Sequence, residues 1–166
     1  MIEAVDTLTT DKAVKLFERF GIFTEAELES RAEVLYETYA KSINIEALTM
    51  IDMASKQYIP AVVKYTKSLA DTVIAVKEAG ADASAQADLL KDVSEKLTAM
   101  KAALVKLEEA EAKASAITDA KEQAFFYKDV VKAAMDELRA PVDAAEMLVD
   151  KKVWPVPTYG DLIFEV

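Results

Sequence analysis

Residues 23–42 read FTEAELESRAEVLYETYAKS, and their first turn decides the fold class. Thr24 and Glu27 stand three apart, the Ser/Thr-x-x-Glu arrangement in which each side chain satisfies a backbone N–H at the start of a helix. Downstream, Leu28, Ala32, Leu35, Tyr39, Ile43, Ala47, Met50 and Ala54 recur at spacings of three and four and so share one helical face. A stripe of that length has to be buried against other helices, which points to an all-α bundle.

Working outward, TTDKAVKLFERFG (residues 9–21) predicts a short helix capped by Thr9 or Thr10. Val14, Leu16, Phe17 and Phe20 form its apolar side, and Gly21 suits the left-handed position beyond its end. On the other side, Pro60 interrupts the long stripe. A proline removes one helical hydrogen bond and crowds the preceding turn, so a kink or break is expected near Gln57 to Ile59. The pattern then resumes through Val62 or Val63, Tyr65, Leu69, Val73 and Val76 to Gly80. GADASAQAD (residues 80–88) is a small, polar connector with Asp82 or Ser84 as the next cap. Beyond it Val93, Leu97, Met100, Leu104 and Leu107 step by fours and threes, close to the repeat of a helix-to-helix seam. ASAITDAKEQ (residues 114–123) supplies a turn, with Thr118 or Asp119 capping a last helix. That helix carries Ala124, Tyr127, Val131, Ala134, Leu138, Val142, Ala145 and Val149, with Pro141 as a tolerated interruption.

The resulting expectation is an antiparallel bundle of three long, partly kinked helices, preceded by a short N-terminal helix and followed by an extended tail. As a single domain it divides into a lead-in and short helix over 1–23, the bundle over 24–152 and an aromatic tail over 153–166. A chain of 166 residues is long enough for one sizeable core, burying roughly 70% of the surface exposed when unfolded.

Composition narrows the chemistry. The formal net charge of −10 repels phosphate backbones and anionic lipid, so neither nucleic acid nor a membrane is expected as a partner. The N-terminus lacks the pattern of a signal peptide, and no apolar run approaches the roughly 20 residues that span a bilayer. There is no cysteine and no histidine, which removes disulfides, thiolates, the commonest general base and the commonest metal ligand. The acidic run KLEEAEAK (residues 106–113) spreads Glu108, Glu109 and Glu111 around a helix with Lys106 and Lys113 beside them, as a solvated face does. The glycines at 21, 80 and 160 are isolated, so no phosphate-cradling loop is present. Phe125, Phe126 and Tyr127 are read as packing on two neighbours, and Glu46, Thr49 and Asp52 as a polar strip that faces solvent or bonds within a second contact surface. No catalytic, cofactor-binding or metal-binding residue is assigned.

The tail KKVWPVPTYGDLIFEV (residues 151–166) differs from everything before it. Pro155 and Pro157 each fix their own φ and push the preceding residue out of helix, ending the last helix near Lys152. Trp154, Tyr159, Leu162, Ile163 and Phe164 then form an apolar strap whose burial is worth about 1.5–3 kcal/mol per large side chain. Trp154, Pro155, Pro157, Tyr159, Leu162 and Phe164 are therefore the candidate packing or interface residues. They are expected to lie across the first two helices or to dock on a neighbouring subunit.

Three stretches, in two blocks of the chain, carry a family resemblance. FGIFTEAELESR (20–31), IEALTMIDM (45–53) with the Pro60 segment, and WPVPTYGDLIF (154–164) occur in the order found in type III glutamine synthetase, and the chain closely resembles the C-terminal helical part of that family. The resemblance implies part of a large, cytoplasmic, oligomeric ligase of nitrogen metabolism that joins ammonia to glutamate with ATP and Mg²⁺. It implies the catalytic region and neighbouring subunits as partners, and a structural, subunit-contact or regulatory role. None of the catalytic motifs of that family matches here, so this chain alone is expected to be inactive, and Met1 is expected to mark a cut within a longer chain. The alternative is a free-standing helical module for protein–protein interaction.

Overall fold

The computed structural model describes residues 2–157 and 159–164, without the side chain of Tyr159. Among the described residues the regular elements are all helical. They begin with a 3₁₀ helix, Ile2–Thr9, which the sequence pattern had not suggested, and continue with α1, Asp11–Arg19. α2 spans Glu25–Met53 and runs through a π turn, Ala54–Tyr58, into α3, Ile59–Glu78. α4 spans Ser84–Ser115. α5, Ala120–Phe126, passes through a second π turn, Tyr127–Val131, into α6, Lys132–Glu146. A short α7 occupies Tyr159–Phe164.

The expected punctuation is in place. Thr10 caps α1 by accepting from Ala13 N–H, and Gly21 follows it at φ +64°, where a side chain would be strained. The Thr24–Glu27 box closes with Glu27 accepting from Thr24 N–H at 2.8 Å. Asp82 accepts from Ser84 N–H at 3.0 Å before α4, and Asp119 accepts from Glu122 N–H at 2.7 Å before α5.

Pro60 does not break the chain. The helix absorbs it in the π turn just before it, where Ile59 N–H reaches back to Ala54 O. Widening the turn relieves the crowding that proline imposes on the preceding residues. Pro141 sits inside α6, with the second π turn well upstream.

The chain packs as two compact units. One comprises Met1–Leu48 with Glu108–Ala134, the other Thr49–Leu107 with Met135–Val166. The core of the first is rich in alanine, with Ala32, Ala40, Ala47, Ala114 and Ala124 closing around Leu28, Tyr36, Tyr127 and Val131. Small side chains on facing helices let the backbones approach, and the few large ones fill what is left. The core of the second gathers Val62, Leu69, Val93, Met100, Ala145, Val149 and Trp154.

Two sequence expectations require correction. Leu35 and Tyr39 were placed on the inward face of α2, but Tyr36 and Ala40 are buried there instead, and Leu35 is 46% exposed. A helix turns 3.6 residues per turn, so a stripe read at mixed spacings of three and four drifts by one position over a few turns. The tail is also not extended throughout. α6 stops at Glu146 rather than near Lys152, the segment from Trp154 to Pro157 is non-helical, and helix returns at Tyr159. The prolines restrict only themselves and the residues before them, leaving the chain beyond Pro157 free to coil.

Candidate interaction surfaces

In the first unit the 3₁₀ helix is fastened by charge. In a 3₁₀ helix residues three apart eclipse one another, which lines up Ile2, Val5 and Leu8 on one edge and Glu3 and Asp6 on another. The apolar edge turns inward, and Ile2 is buried. On the acidic edge Asp6 accepts from the Tyr36 hydroxyl and pairs with Lys121 at 2.6 Å, while Glu3 pairs with Lys128. Lys128 also lies 5.5 Å from the centre of the Phe125 ring, whose other neighbour is Tyr36 at 6.4 Å. The two ion pairs run in opposite chain directions, Glu3 reaching Lys128 in the second π turn and Asp6 reaching Lys121 in α5.

These contacts shift the titrations. Hydrogen bonds from Lys128 and from its own backbone bring Glu3 down from 4.5 to about 2. Lys121, then Tyr36, lower Asp6. Burial, then Asp6, raises the Tyr36 hydroxyl well above its ordinary range, so it remains a donor. Both carboxylates are depressed in the folded state, so their contribution is present above the unfolded value and is lost as pH falls through the folded one. The clamp is therefore expected to hold at neutral pH and to loosen as pH drops from 4.5 toward about 2. NMR shifts of the Ile2, Val5 and Leu8 methyls should move over that window, and Glu3→Gln should flatten the profile.

Nothing in the sequence pattern singled out Asp6, Tyr36, Lys121 or Lys128. The one available signal was the threefold spacing of Ile2, Val5 and Leu8, which is 3₁₀ rather than α periodicity.

Of the tail candidates whose side chains are described, only Trp154 is buried, at 7% exposure in the core of the second unit. Its ring lies 5.2 Å from that of Tyr58, and its indole N–H has no hydrogen-bond partner among the described residues. Pro155 and Pro157 are exposed. Leu162, Ile163 and Phe164 are 68%, 65% and 82% exposed, so the burial expected for them is not found. The side chain of Tyr159 falls outside the described residues. Lys151 pairs with the carboxylate of Asp161 in α7, and the three apolar residues follow that anchor. Trp154 and the α7 side chains thus part company: the indole enters the core and the later residues face outward.

Two of the clefts in the first unit share part of their lining. One, of about 520 Å³, is lined by Leu8, Phe17, Phe23, Val34 and Leu35 with Arg31 at its side. The other, of about 330 Å³, shares Leu8 and Leu35 and adds Ile2, Val5 and Tyr39. The Arg31 guanidinium lies 4.2 Å over the Phe23 ring. A third cleft, in the second unit, is about 270 Å³ and is lined by Met50, Met53, Tyr58, Leu138, Val142 and Asp143. Burial first, then Glu146 and Asp143, raises the Tyr58 hydroxyl. Glu46, Thr49 and Asp52 are exposed, and Asp52 pairs with Lys56.

Among the described residues no group of three or more Asp and Glu side chains is placed to hold a metal ion. No described helix is long and apolar enough to cross a membrane.

Residues 1–77 match the glutamine synthetase C-terminal domain family. Over 159 residues the chain is 40% identical to a glutamine synthetase of Butyrivibrio fibrisolvens, an overlap of 95% of this chain and 23% of that protein. The chain carries a glutamine synthetase C-terminal domain. The type-3 glutamine synthetase of Dictyostelium discoideum is 31% identical over 168 residues, with 98% of this chain and 23% of that protein covered. A glutamine synthetase of Bacteroides fragilis is 31% identical over 159 residues, 92% of this chain and 22% of that protein. The resemblance to type III enzymes read from the sequence reappears in these comparisons. The C-terminal domain match covers the 3₁₀ helix, the capping box and the two clefts that share Leu8 and Leu35, and the Pro155–Pro157 tail lies beyond it. The chain spans only 23% of the length of the first relative it matches.

Proposed function

We propose that this chain is the helical C-terminal domain of a cytoplasmic, oligomeric, ATP-dependent glutamine synthetase, and that its own work is structural. It supports the catalytic region and contributes contacts between subunits. ATP, Mg²⁺, glutamate and ammonia belong to the rest of that enzyme. The observation that carries the reading is the coverage: similarity extends through 95% of this chain and takes up 23% of the Butyrivibrio protein, as expected for one domain of a larger ligase. A core of packed apolar side chains, with charge spent on fastening one element to another, is what a supporting domain needs.

The test has two arms. The pure chain, incubated with glutamate, ammonia, ATP and Mg²⁺, is expected to form no glutamine and release no phosphate, and turnover would overturn the reading. The Butyrivibrio enzyme trimmed of its matching segment is expected to lose assembly, and to recover it when that segment is replaced by this chain. Unimpaired assembly of the trimmed enzyme would refute the supporting role.

A further inference from the structure

The first unit keeps an apolar surface open within the segment that matches the glutamine synthetase family. Leu8 and Leu35 belong to both of its joined clefts, whose lining is apolar apart from Ser30, Arg31 and the hydroxyl of Tyr39. Val34 is 59% exposed, and Leu16, Phe20 and Ile22, in and just after α1, are more than half exposed as well. By contrast α4, which lies outside the match, exposes only Val105 among its large apolar side chains. Exposed apolar side chains gathered in one stretch, rather than scattered singly, mark a contact surface. The second cleft is lined by Ile2, Ala4 and Val5 of the 3₁₀ helix, which the Glu3–Lys128 and Asp6–Lys121 pairs hold in place. Polypeptide joined ahead of Ile2 therefore starts beside that cleft. In the Butyrivibrio enzyme, where the matching segment is 23% of the length and corresponds to the C-terminal domain, the polypeptide on that side is the rest of the ligase.

We propose that the Leu8–Leu35 clefts seat the catalytic region of the same polypeptide, which lays an apolar segment across Val34 and Leu35. This placement rests on the assignment to glutamine synthetase and adds to it the surface by which the domain is held. A partner joined to the chain beside its own docking site is present at an effective concentration of roughly millimolar order. Two clefts and a few exposed side chains then suffice, where a free partner would need an interface of about 1,000 Å² or more. The lining suits such a partner, because apolar side chains gain from leaving water whatever their exact geometry, whereas a small polar ligand would find few groups to bond. The other exposed apolar element, Leu162–Phe164 of α7, lies outside the family match and serves as the comparison.

The chain has no cysteine, so single thiols can be placed in it as reporters. Val34→Cys is made in the chain and in the Butyrivibrio enzyme that carries this chain in place of its own matching segment, and maleimide labelling of that peptide is followed by mass spectrometry. Labelling should be rapid in the chain alone and fall roughly tenfold or more in the assembled enzyme, as for a contact closed at least about nine-tenths of the time. A benzophenone maleimide on the same thiol should cross-link to a catalytic-region peptide within one polypeptide. Circular dichroism checks folding, and Leu35→Cys, in the lining of both clefts, replaces Val34→Cys if that variant is misfolded. Equal labelling in an assembled, active enzyme overturns the proposed surface and leaves the glutamine synthetase assignment standing. Protection of Phe164→Cys with position 34 left open overturns it and assigns the docking to α7. Cross-links between two polypeptides, or protection that rises with concentration in the chain alone, overturn it in favour of a neighbouring subunit or a second copy. An enzyme that fails to assemble with this chain refutes the supporting role, and the proposed surface falls with it.

Discussion

Trp154→Ala is expected to lower the stability of the chain by about 3–5 kcal/mol, the cost of emptying a buried large aromatic site. For a chain of this size that is a fall in melting temperature of roughly 6–20 °C, read by circular dichroism. Trp154 is 7% exposed and packs with Val62, Leu69, Val93, Met100, Ala145 and Val149, beside the Tyr58 ring. It is the only tryptophan, so in the unsubstituted chain its emission reports on this core. Trp154→Phe should cost much less than alanine. It keeps an aromatic ring against Tyr58 and removes the unpartnered indole N–H, whose burial costs about 1–3 kcal/mol in the native protein. Equal losses from alanine and phenylalanine would mean that the indole N–H has a partner after all. By contrast Phe164→Ala, at 82% exposure, should leave the melting temperature of the monomer nearly unchanged.

Leu28→Ala should cost about 2–5 kcal/mol, with a melting temperature lower by roughly 4–20 °C. Leu28 is 1% exposed and stands one turn into α2, where its N–H donates to Thr24 O at 3.1 Å. Its loss opens a cavity in a core otherwise closed by alanines, which are too short to move in and fill it. The companion measurement is Leu35→Ala. Both leucines belong to the stripe read from the sequence, but Leu35 is 46% exposed and should cost under about 1 kcal/mol. Similar losses at the two positions would restore the register read from the sequence and contradict the one in the structure.

The helices were legible because their signals are local. The Thr24–Glu27 box, Thr10, Asp82 and Asp119 act within three residues of themselves, and each appears in the structure as a closed cap. The last helical run was read almost position by position, since Ala124, Tyr127, Val131, Ala134, Leu138, Ala145 and Val149 are all buried. The polar contacts of the first unit were not legible. Asp6 meets Tyr36 thirty residues away and Lys121 more than a hundred away, and no spacing along the chain encodes such a meeting. The tail was half legible: Trp154 was singled out and is buried, but its neighbours in α7 were expected to follow it inward and do not.

By itself, then, the sequence determined the all-α class, the caps, the inward face of the last helical run and the kinship with glutamine synthetase. Periodicity and capping are properties of a few consecutive residues, and burial of one face follows from them whatever the partner. Only the tertiary structure decided that Tyr36 rather than Leu35 turns inward, that Ile2–Thr9 is bound to Lys121 and Lys128 by charge, and that Trp154 enters a core while Leu162, Ile163 and Phe164 stay outside it. Those outcomes depend on which distant side chains compete for the same space, and that competition is settled by packing in three dimensions rather than by neighbours along the chain.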